Sequence, residues 1–213
     1  MQLAEPKRSR FDIHFSVFGI PVRIHPFFWV ITILLGYASY GASLINIVLW
    51  TTAILISVLI HELGHAIVAR RYGHPPHITL GPSGGLASFS AGHQKTKEKM
   101  VIAFAGPGTG FLFGGFLLAV VLLSQHSTAI PYLQTHLGNG PAIGGRLGQF
   151  TYILLFANIF WGLINLVPVL PLDGSAITRA FFESKYPMLR ALQLTVKTSI
   201  VSSALLAILA MVL

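Results

Sequence analysis

The chain has 213 residues, of which 54% are hydrophobic and 9% are charged, and its mean hydropathy is +0.72. This composition excludes an ordinary soluble domain, in which about a quarter of the residues are charged, and indicates a polytopic membrane protein. The net charge of +8 would suggest nucleic acid in a soluble protein, but here the basic residues lie in loops between apolar segments, so the expected partner is the lipid bilayer and no nucleic acid is expected.

Five apolar segments are candidates for bilayer crossings, each of which requires about 20 residues. The predicted fold is therefore all-α, with about five transmembrane helices; six is the alternative count. The first segment follows about 24 polar or mixed residues that do not have the form of a cleavable signal peptide, so we expect it to be retained. The predicted spans cover residues 26–42, 44–69, 100–123, 150–170 and 193–213.

Two stretches outside the spans have the pattern of β-strands. One short strand is predicted at residues 17–24. A β-hairpin around a turn rich in glycine is predicted in the loop from Gly73 to Gly92. Its strands would include residues 78–80 and 86–89. We expect a small cytoplasmic β-hairpin or sheet, with a plain polar connector as the alternative. A further segment, 175–184, predicts a short interfacial helix.

The second apolar segment ends in the pentad His61-Glu62-Leu63-Gly64-His65. On a helix, residues i and i+4 share a face, which directs His61 and His65 at one metal ion and leaves Glu62 beside it to activate a water. This is the layout of a zinc hydrolase. Polar groups are costly to bury in a bilayer, so the pentad indicates function; two unrelated histidines on a packed helix are the alternative.

A catalytic zinc takes three protein ligands and a water, so the pentad requires one more ligand. The chain has no cysteine, which leaves histidine or a carboxylate. The metzincin extension is absent, because Val68 and Arg71 stand at its positions, and no thermolysin-like glutamate follows at the usual distance. Four of the six acidic residues lie in loop or interfacial stretches. The remaining two are Glu62 and Asp173.

Asp173 follows two prolines, Pro168 and Pro171, that cannot continue a regular helix. Gly174 then permits a sharp turn. Unwound backbone at membrane depth is tolerated where it lines a wet cavity, so we expect a stiff, non-helical arm that holds Asp173 against the two histidines. A plain helix end is the alternative.

The distribution of basic residues predicts the orientation. With five spans, thirteen of the 14 Lys and Arg residues fall on one side, and only Arg146 falls on the other. Because basic loops tend to stay inside, this side is predicted to be cytoplasmic. The expected protein is a multi-pass protein of the cell membrane with a cytoplasmic N-terminus and active-site opening. It would form one membrane domain over residues 1–213, with a catalytic core at about 44–174.

The pentad, followed by Asn165-x-x-Pro168-x-x-Pro171-Leu172-Asp173-Gly174, resembles the site-2 protease family of intramembrane zinc metalloproteases (M50-type), in its short prokaryotic form. Residues 19–22, 84–85 and 105–107 extend the similarity. Gly110 departs from it, because many members have a polar residue there. The resemblance implies a three-span core and Zn²⁺ held by His61, His65 and Asp173.

The resemblance also implies cleavage of single-span transmembrane substrates, such as an anti-sigma factor or another membrane-tethered regulator. Relatives of this type often add a further span and a cytoplasmic module, and this chain stops at Leu213 inside an apolar run, so we expect a catalytic-core segment. The expected function is hydrolysis of a peptide bond in or near the substrate's transmembrane segment.

Glu62 is then the predicted general base. Asn165 is predicted to hold the substrate backbone or the developing oxyanion, or else only to bridge the broken helix. An unwound substrate would add to the predicted hairpin at Gly84, Gly85 and Leu86.

A divalent-metal transporter and a catalytically inactive membrane scaffold are the alternative functions. A transporter would need polar groups along a continuous path, whereas the outer halves of these spans offer almost no ionisable groups.

Overall fold

The computed structural model describes residues 5–89, 94–123 and 145–212. Its helices are α1 (Pro26–Tyr40), α2 (Leu44–Arg71), α3 (Thr96–Leu123), α4 (Gly145–Asn165), α5 (Asp173–Glu183) and α6 (Met188–Val212). Its strands are β1 (Ile13–Val17), β2 (Ile20–Ile24), β3 (Pro76–Gly81) and β4 (Gly84–Phe89). The prediction of a mostly helical, multi-pass membrane protein with a small sheet is confirmed.

Four of these helices, α2, α3, α4 and α6, are long and apolar enough to cross a membrane. The helix α1 is also apolar but has 15 residues, a length of about 22 Å against a hydrocarbon core of about 30 Å. Its first turn packs near Leu63 at the end of α2, and its last residue, Tyr40, lies 5.8 Å from the Trp50 ring near the start of α2. The two helices therefore run in opposite directions, and α1 occupies the position of the predicted first span.

The strands form one sheet in the order β1-β2-β3-β4, in which β2 and β3 are parallel and the outer pairs are antiparallel. The predicted hairpin corresponds to β3 and β4; residues 90–93 of its loop lie outside the described residues. The single strand predicted at 17–24 differs from the structure. Phe18 and Gly19 have φ angles of 51° and 73°, so the chain turns there and pairs β1 with β2.

One face of the sheet is packed against the membrane helices. The buried side chains of this cluster come from β2, β3, α1 and α2: Ile20, Val22, Ile24, Ile78, Leu80, Phe28, Leu63 and Ala66. Because Leu63 belongs to the pentad, the same packing holds this turn of α2 between the sheet and the other helices.

The predicted break after the fourth span is present. The helix α4 ends at Asn165 and α5 begins at Asp173, and the segment between them, which contains Pro168 and Pro171, is not helical. Gly174 packs against the carbonyl groups of this segment, so a Cβ there would overlap Leu166. The predicted interfacial helix at 175–184 corresponds to α5.

Candidate metal centre

Three side chains that the sequence predicts as ligands converge in the structure. His61 Nε2 lies 3.0 Å from Asp173 Oδ2, and His65 Nε2 lies 3.3 Å from Asp173 Oδ1. The two Nε2 atoms are 3.1 Å apart. Among the described residues, these three form the group whose ligand atoms all lie within 4.8 Å of one another.

Two elements position the group. One turn of α2 presents both imidazoles on one face, as the i, i+4 spacing predicts. Asp173 is the first residue of α5, where the positive end of the helix dipole favours a carboxylate. The non-helical arm between α4 and α5 brings that helix start to α2.

The hydrogen bonding of His65 fixes its tautomer. His65 Nδ1 lies 2.7 Å from the Ile102 carbonyl oxygen of α3. A carbonyl only accepts, so Nδ1 carries a proton, and in the neutral imidazole the lone pair is on Nε2, which points toward His61 and Asp173. Gly106 lies beneath the ring, where a Cβ would overlap it. The helix α3 therefore sets both the orientation and the protonation of this imidazole, as expected for a metal ligand.

The donor set fits a zinc ion. Two imidazole nitrogens and a carboxylate are common ligands of catalytic zinc, and ligands of a tetrahedral zinc are about 3.3 Å apart. The observed separations of 3.0, 3.1 and 3.3 Å are close to this value.

Glu62 lies beside the three ligands but outside their group. Its side chain is buried, with the residue 6% exposed, and it packs against Gly85 of β4. A Cβ at Gly85 would overlap the Glu62 side chain. Glycine at position 85 therefore leaves room for the Glu62 carboxylate.

Two of the three predicted ligands, His61 and Asp173, line a cavity of about 500 Å³ between α1, α2, α4 and the β3–β4 turn. Of the residues predicted for catalysis or substrate binding, Glu62, Gly84, Gly85 and Asn165 line it. Leu86 is not among the described residues that line the cavity; it lies on β4 opposite Thr79.

The sequence analysis missed a polar contact on the cavity wall. The Asn158 amide is 3% exposed and donates to Ser57 Oγ at 2.9 Å and to the Leu154 carbonyl at 2.8 Å. Asn158 lies in a π-helical turn, Phe156–Phe160, inside α4. An amide within an apolar run, two helical turns before Asn165, was the signal that could have revealed it.

The same π-helical turn accounts for Gly110, the position at which the sequence departs from the resemblance. A Cβ at Gly110 would lie 3.3 Å from the Asn158 carbonyl oxygen. The glycine therefore allows α3 to approach the π-helical turn of α4 closely.

Known proteins share this architecture. The profile of Peptidase family M50 matches residues 50–209. A zinc metalloprotease of Methanocaldococcus jannaschii is 30% identical over 180 residues, which cover 83% of this chain and 47% of the relative. Stage IV sporulation protein FB of Bacillus subtilis is 28% identical over 186 residues, which cover 85% of this chain and 54% of the relative. The chain spans about half the length of these curated relatives.

Among solved structures, a site-2 protease from Methanocaldococcus jannaschii is similar, with a TM-score of 0.59 and 28% identity; the similarity covers 87% of this chain and 78% of that one. This similarity and the profile match confirm the resemblance on which the sequence prediction rested. Because the matched region contains both histidines, Asp173 and most of the membrane helices, the chain belongs to peptidase family M50.

Proposed function

We propose that this chain is an intramembrane zinc metalloprotease that hydrolyses a peptide bond in or near the transmembrane segment of a single-span membrane protein. The observation that carries the proposal is the convergence of His61, His65 and Asp173 beside the buried Glu62, on the wall of a cavity between apolar helices. The relatives named as zinc metalloproteases support the choice of metal and reaction.

The three ligands would hold zinc, which polarises the scissile carbonyl and makes a bound water more acidic. Glu62 takes a proton from the attacking water and passes it to the leaving amine. Its packing against Gly85 limits the positions that its carboxylate can take, and such positioning reduces the entropy lost on reaching the transition state. Asn165, on the cavity wall, is placed to donate its amide to the substrate carbonyl as negative charge develops.

A transmembrane substrate must open its helix before its peptide bond can be attacked, and β4 offers a partner for the opened chain. In the sheet order, β4 is the outermost strand, so its outer edge carries no strand within the described part of the chain. An extended substrate segment can add to this edge through backbone hydrogen bonds at Gly84, Gly85 and Leu86. Gly84 and Gly85 bring this edge to the wall of the cavity that holds Glu62.

We further propose that the sheet and the site's opening face the cytoplasm, because thirteen basic residues lie on that side. The substrate class that fits is a membrane-tethered regulator, such as an anti-sigma factor, whose single helix can enter between α1 and α4. Both helices line the cavity.

Two variants test the roles of the two carboxylates. Glu62→Gln is expected to keep zinc but to lose cleavage about a hundredfold or more, because it removes the base and not a ligand. Asp173→Ala is expected to lose both activity and most of the zinc affinity. Glu98→Gln is the matched control, since Glu98 lies outside the cavity and beside His74.

The measurements are zinc per chain and cleavage of a single-span substrate, made in the same detergent. Full activity of Glu62→Gln, or tight stoichiometric zinc in Asp173→Ala, would contradict the proposed roles. Zinc uptake into sealed vesicles by a wild-type protein that cleaves nothing would favour the transporter instead.

A further inference from the structure

The hairpin of β1 and β2 carries a row of apolar side chains that the protein does not cover. Phe11 is 78% exposed, Ile13 49%, Phe15 39% and Phe18 73%. Unlike the exposed apolar residues of the membrane helices, these four belong to a loop and a two-stranded hairpin. An uncovered apolar surface of this kind marks a site of interaction.

The strand register shows which way Ile13 and Phe15 point. Residues directly opposite one another in an antiparallel pair project to the same face of the sheet. The pairs on this face are Ile13 with Ile24, Phe15 with Val22, and Val17 with Ile20. The three β2 residues are buried in the cluster on α2, and Val17 packs against it as well. Ile13 and Phe15 therefore face the side on which the membrane helices lie, but they extend beyond the cover that α2 provides.

Contacts with α2 and α1 show where the hairpin lies relative to the ends of these helices. Arg70, in the last turn of α2, donates to the Phe18 carbonyl at 2.7 Å. At the other end, Ile24 is followed by His25, the N-cap of α1. The hairpin thus lies level with the last turn of α2 and the first turn of α1.

Charge around the hairpin complements a lipid surface. Four exposed cations stand next to it, in the segment before β1 and at the end of α2, and within the described residues none of them takes part in an ion pair: Lys7, Arg10, Arg70 and Arg71. A fifth, Arg8, lies beside His14 and Arg23 on the opposite face. The opposite face of the hairpin is polar; it carries His14, Ser16 and Arg23, and Arg23 is paired with Asp12 at 3.1 Å. One face is therefore apolar with a basic rim, and the other suits water.

We propose that the β1–β2 hairpin is an interfacial anchor. Phe11, Ile13, Phe15 and Phe18 insert among the lipids of the adjacent leaflet, and the basic rim binds anionic headgroups. The occupant of this surface is the bilayer in which the helices already lie, since the apolar face continues their lipid-facing side. The anchor fixes the sheet at the membrane surface and does not depend on the proposed catalytic activity.

The test uses single cysteines, because the native chain has none. Phe15→Cys and Ser16→Cys are neighbours on opposite faces of β1, so each is the control for the other. Both are labelled with a small fluorophore, and the protein is reconstituted into vesicles of phosphatidylcholine and phosphatidylglycerol. Nitroxide-labelled lipid and iodide report contact with lipid and with water. Ile13→Cys and His14→Cys repeat the comparison in case one variant fails to fold.

We expect the label at Phe15 to be quenched by the nitroxide lipid and protected from iodide, and the label at Ser16 to show the opposite pattern. In pure phosphatidylcholine, the lipid quenching at Phe15 should fall by about twofold as the rim loses its partners. Equal iodide quenching at both positions would overturn the anchor. Protection of Phe15 from both quenchers would overturn it too, since a protein partner or a second copy would then cover the face. If nitroxide-lipid quenching at Phe15 were the same in pure phosphatidylcholine, the proposed binding of anionic headgroups by the basic rim would be wrong.

Discussion

Two glycines, Gly85 and Gly106, set the positions of side chains at the centre of the site. Each lies so close to its neighbour that an added Cβ would overlap it: Gly106 beneath the His65 ring and Gly85 against the Glu62 side chain. Cores tolerate such overpacking poorly, at a cost of about 1–3 kcal/mol. The two positions therefore allow the proposed ligand and the proposed base to be disturbed separately.

We predict that Gly106→Ala lowers zinc affinity by about tenfold to a hundredfold, because the new methyl group displaces His65. Gly85→Ala should keep zinc near one ion per chain and lower the rate of cleavage by about tenfold, because it displaces Glu62 alone. Zinc titration and substrate cleavage measure both effects. Gly115→Ala is the control, since a Cβ there has no neighbour within 4 Å. Equal loss of zinc in Gly85→Ala and Gly106→Ala would show that the two side chains do not have separate roles.

The sequence predicted those site residues whose positions follow from spacing along the chain. His61 and His65 share a helix face by spacing alone, and Asp173 follows from the scarcity of acidic residues in the spans together with the two prolines. The contact between Asn158 and Ser57 was not predictable in this way. It depends on a π-helical turn, and that turn depends on how closely α3 and α4 approach at Gly110. Only tertiary packing supplies this information.

Among the elements, α5 has the task of holding Asp173 in place, and its far end is tied to α3. Glu183 accepts from Lys99 Nζ at 2.6 Å and from Arg179 Nε at 2.8 Å. Partial burial raises the pKa of the Glu183 carboxyl, but the hydrogen bonds and charges of Lys99 and Arg179 outweigh it, so the pKa lies below its ordinary value of 4.5. A carboxyl with a lowered folded-state pKa stabilises the fold above its unfolded pKa, and this stabilisation is lost as pH falls through the folded pKa.

We predict that Glu183→Gln lowers the melting temperature near neutral pH by about 2 °C, since partly exposed ion pairs contribute about 0.5 kcal/mol each. The difference from wild type should stay constant down to about pH 5 and then shrink as the pH falls further. Thermal unfolding in detergent across this range measures it, and the comparison with wild type removes the effect of other titrating groups. A difference that persists undiminished at the acid end would mean that the charge of Glu183 is not what stabilises α5.

The strands illustrate the limit of sequence patterns for short elements. Residues 17–24 read as one strand because β-branched residues stand at every second position from 20 to 24. However, Phe18 adopts a left-handed conformation that bulky residues rarely take. The turn is stabilised by a hydrogen bond that the Arg70 side chain of α2 donates to the Phe18 carbonyl. A long-range contact of this kind leaves no periodic signal. The long helices, in contrast, were predicted to within a few residues because their apolar runs are continuous.

On the scale of the whole molecule, the two ends of the helices differ in charge. The sheet, the start of α3 and the segment joining α5 to α6 lie at one end with thirteen of the basic residues, and Arg146, at the start of α4, lies at the other. The turn between α1 and α2 is also at the far end, because Tyr40 contacts Trp50 near the start of α2. The distribution of charge predicts the orientation, but length alone does not predict that α1 crosses the membrane, since its 15 residues are fewer than a usual span.

We predict that the sheet end is cytoplasmic and that α1 crosses the membrane. Three exposed serines allow neutral cysteine substitutions: Ser16 on β1, Ser43 between α1 and α2, and Ser184 after α5. In intact cells a membrane-impermeant maleimide should label Ser43→Cys, whereas Ser16→Cys and Ser184→Cys should react only after lysis, because a bilayer lies between them and the reagent. The unsubstituted chain, which lacks cysteine, is the control for background. Labelling of Ser184→Cys but not of Ser43→Cys would reverse the orientation, and labelling of both Ser16→Cys and Ser43→Cys from outside would show that α1 enters and leaves on the same side.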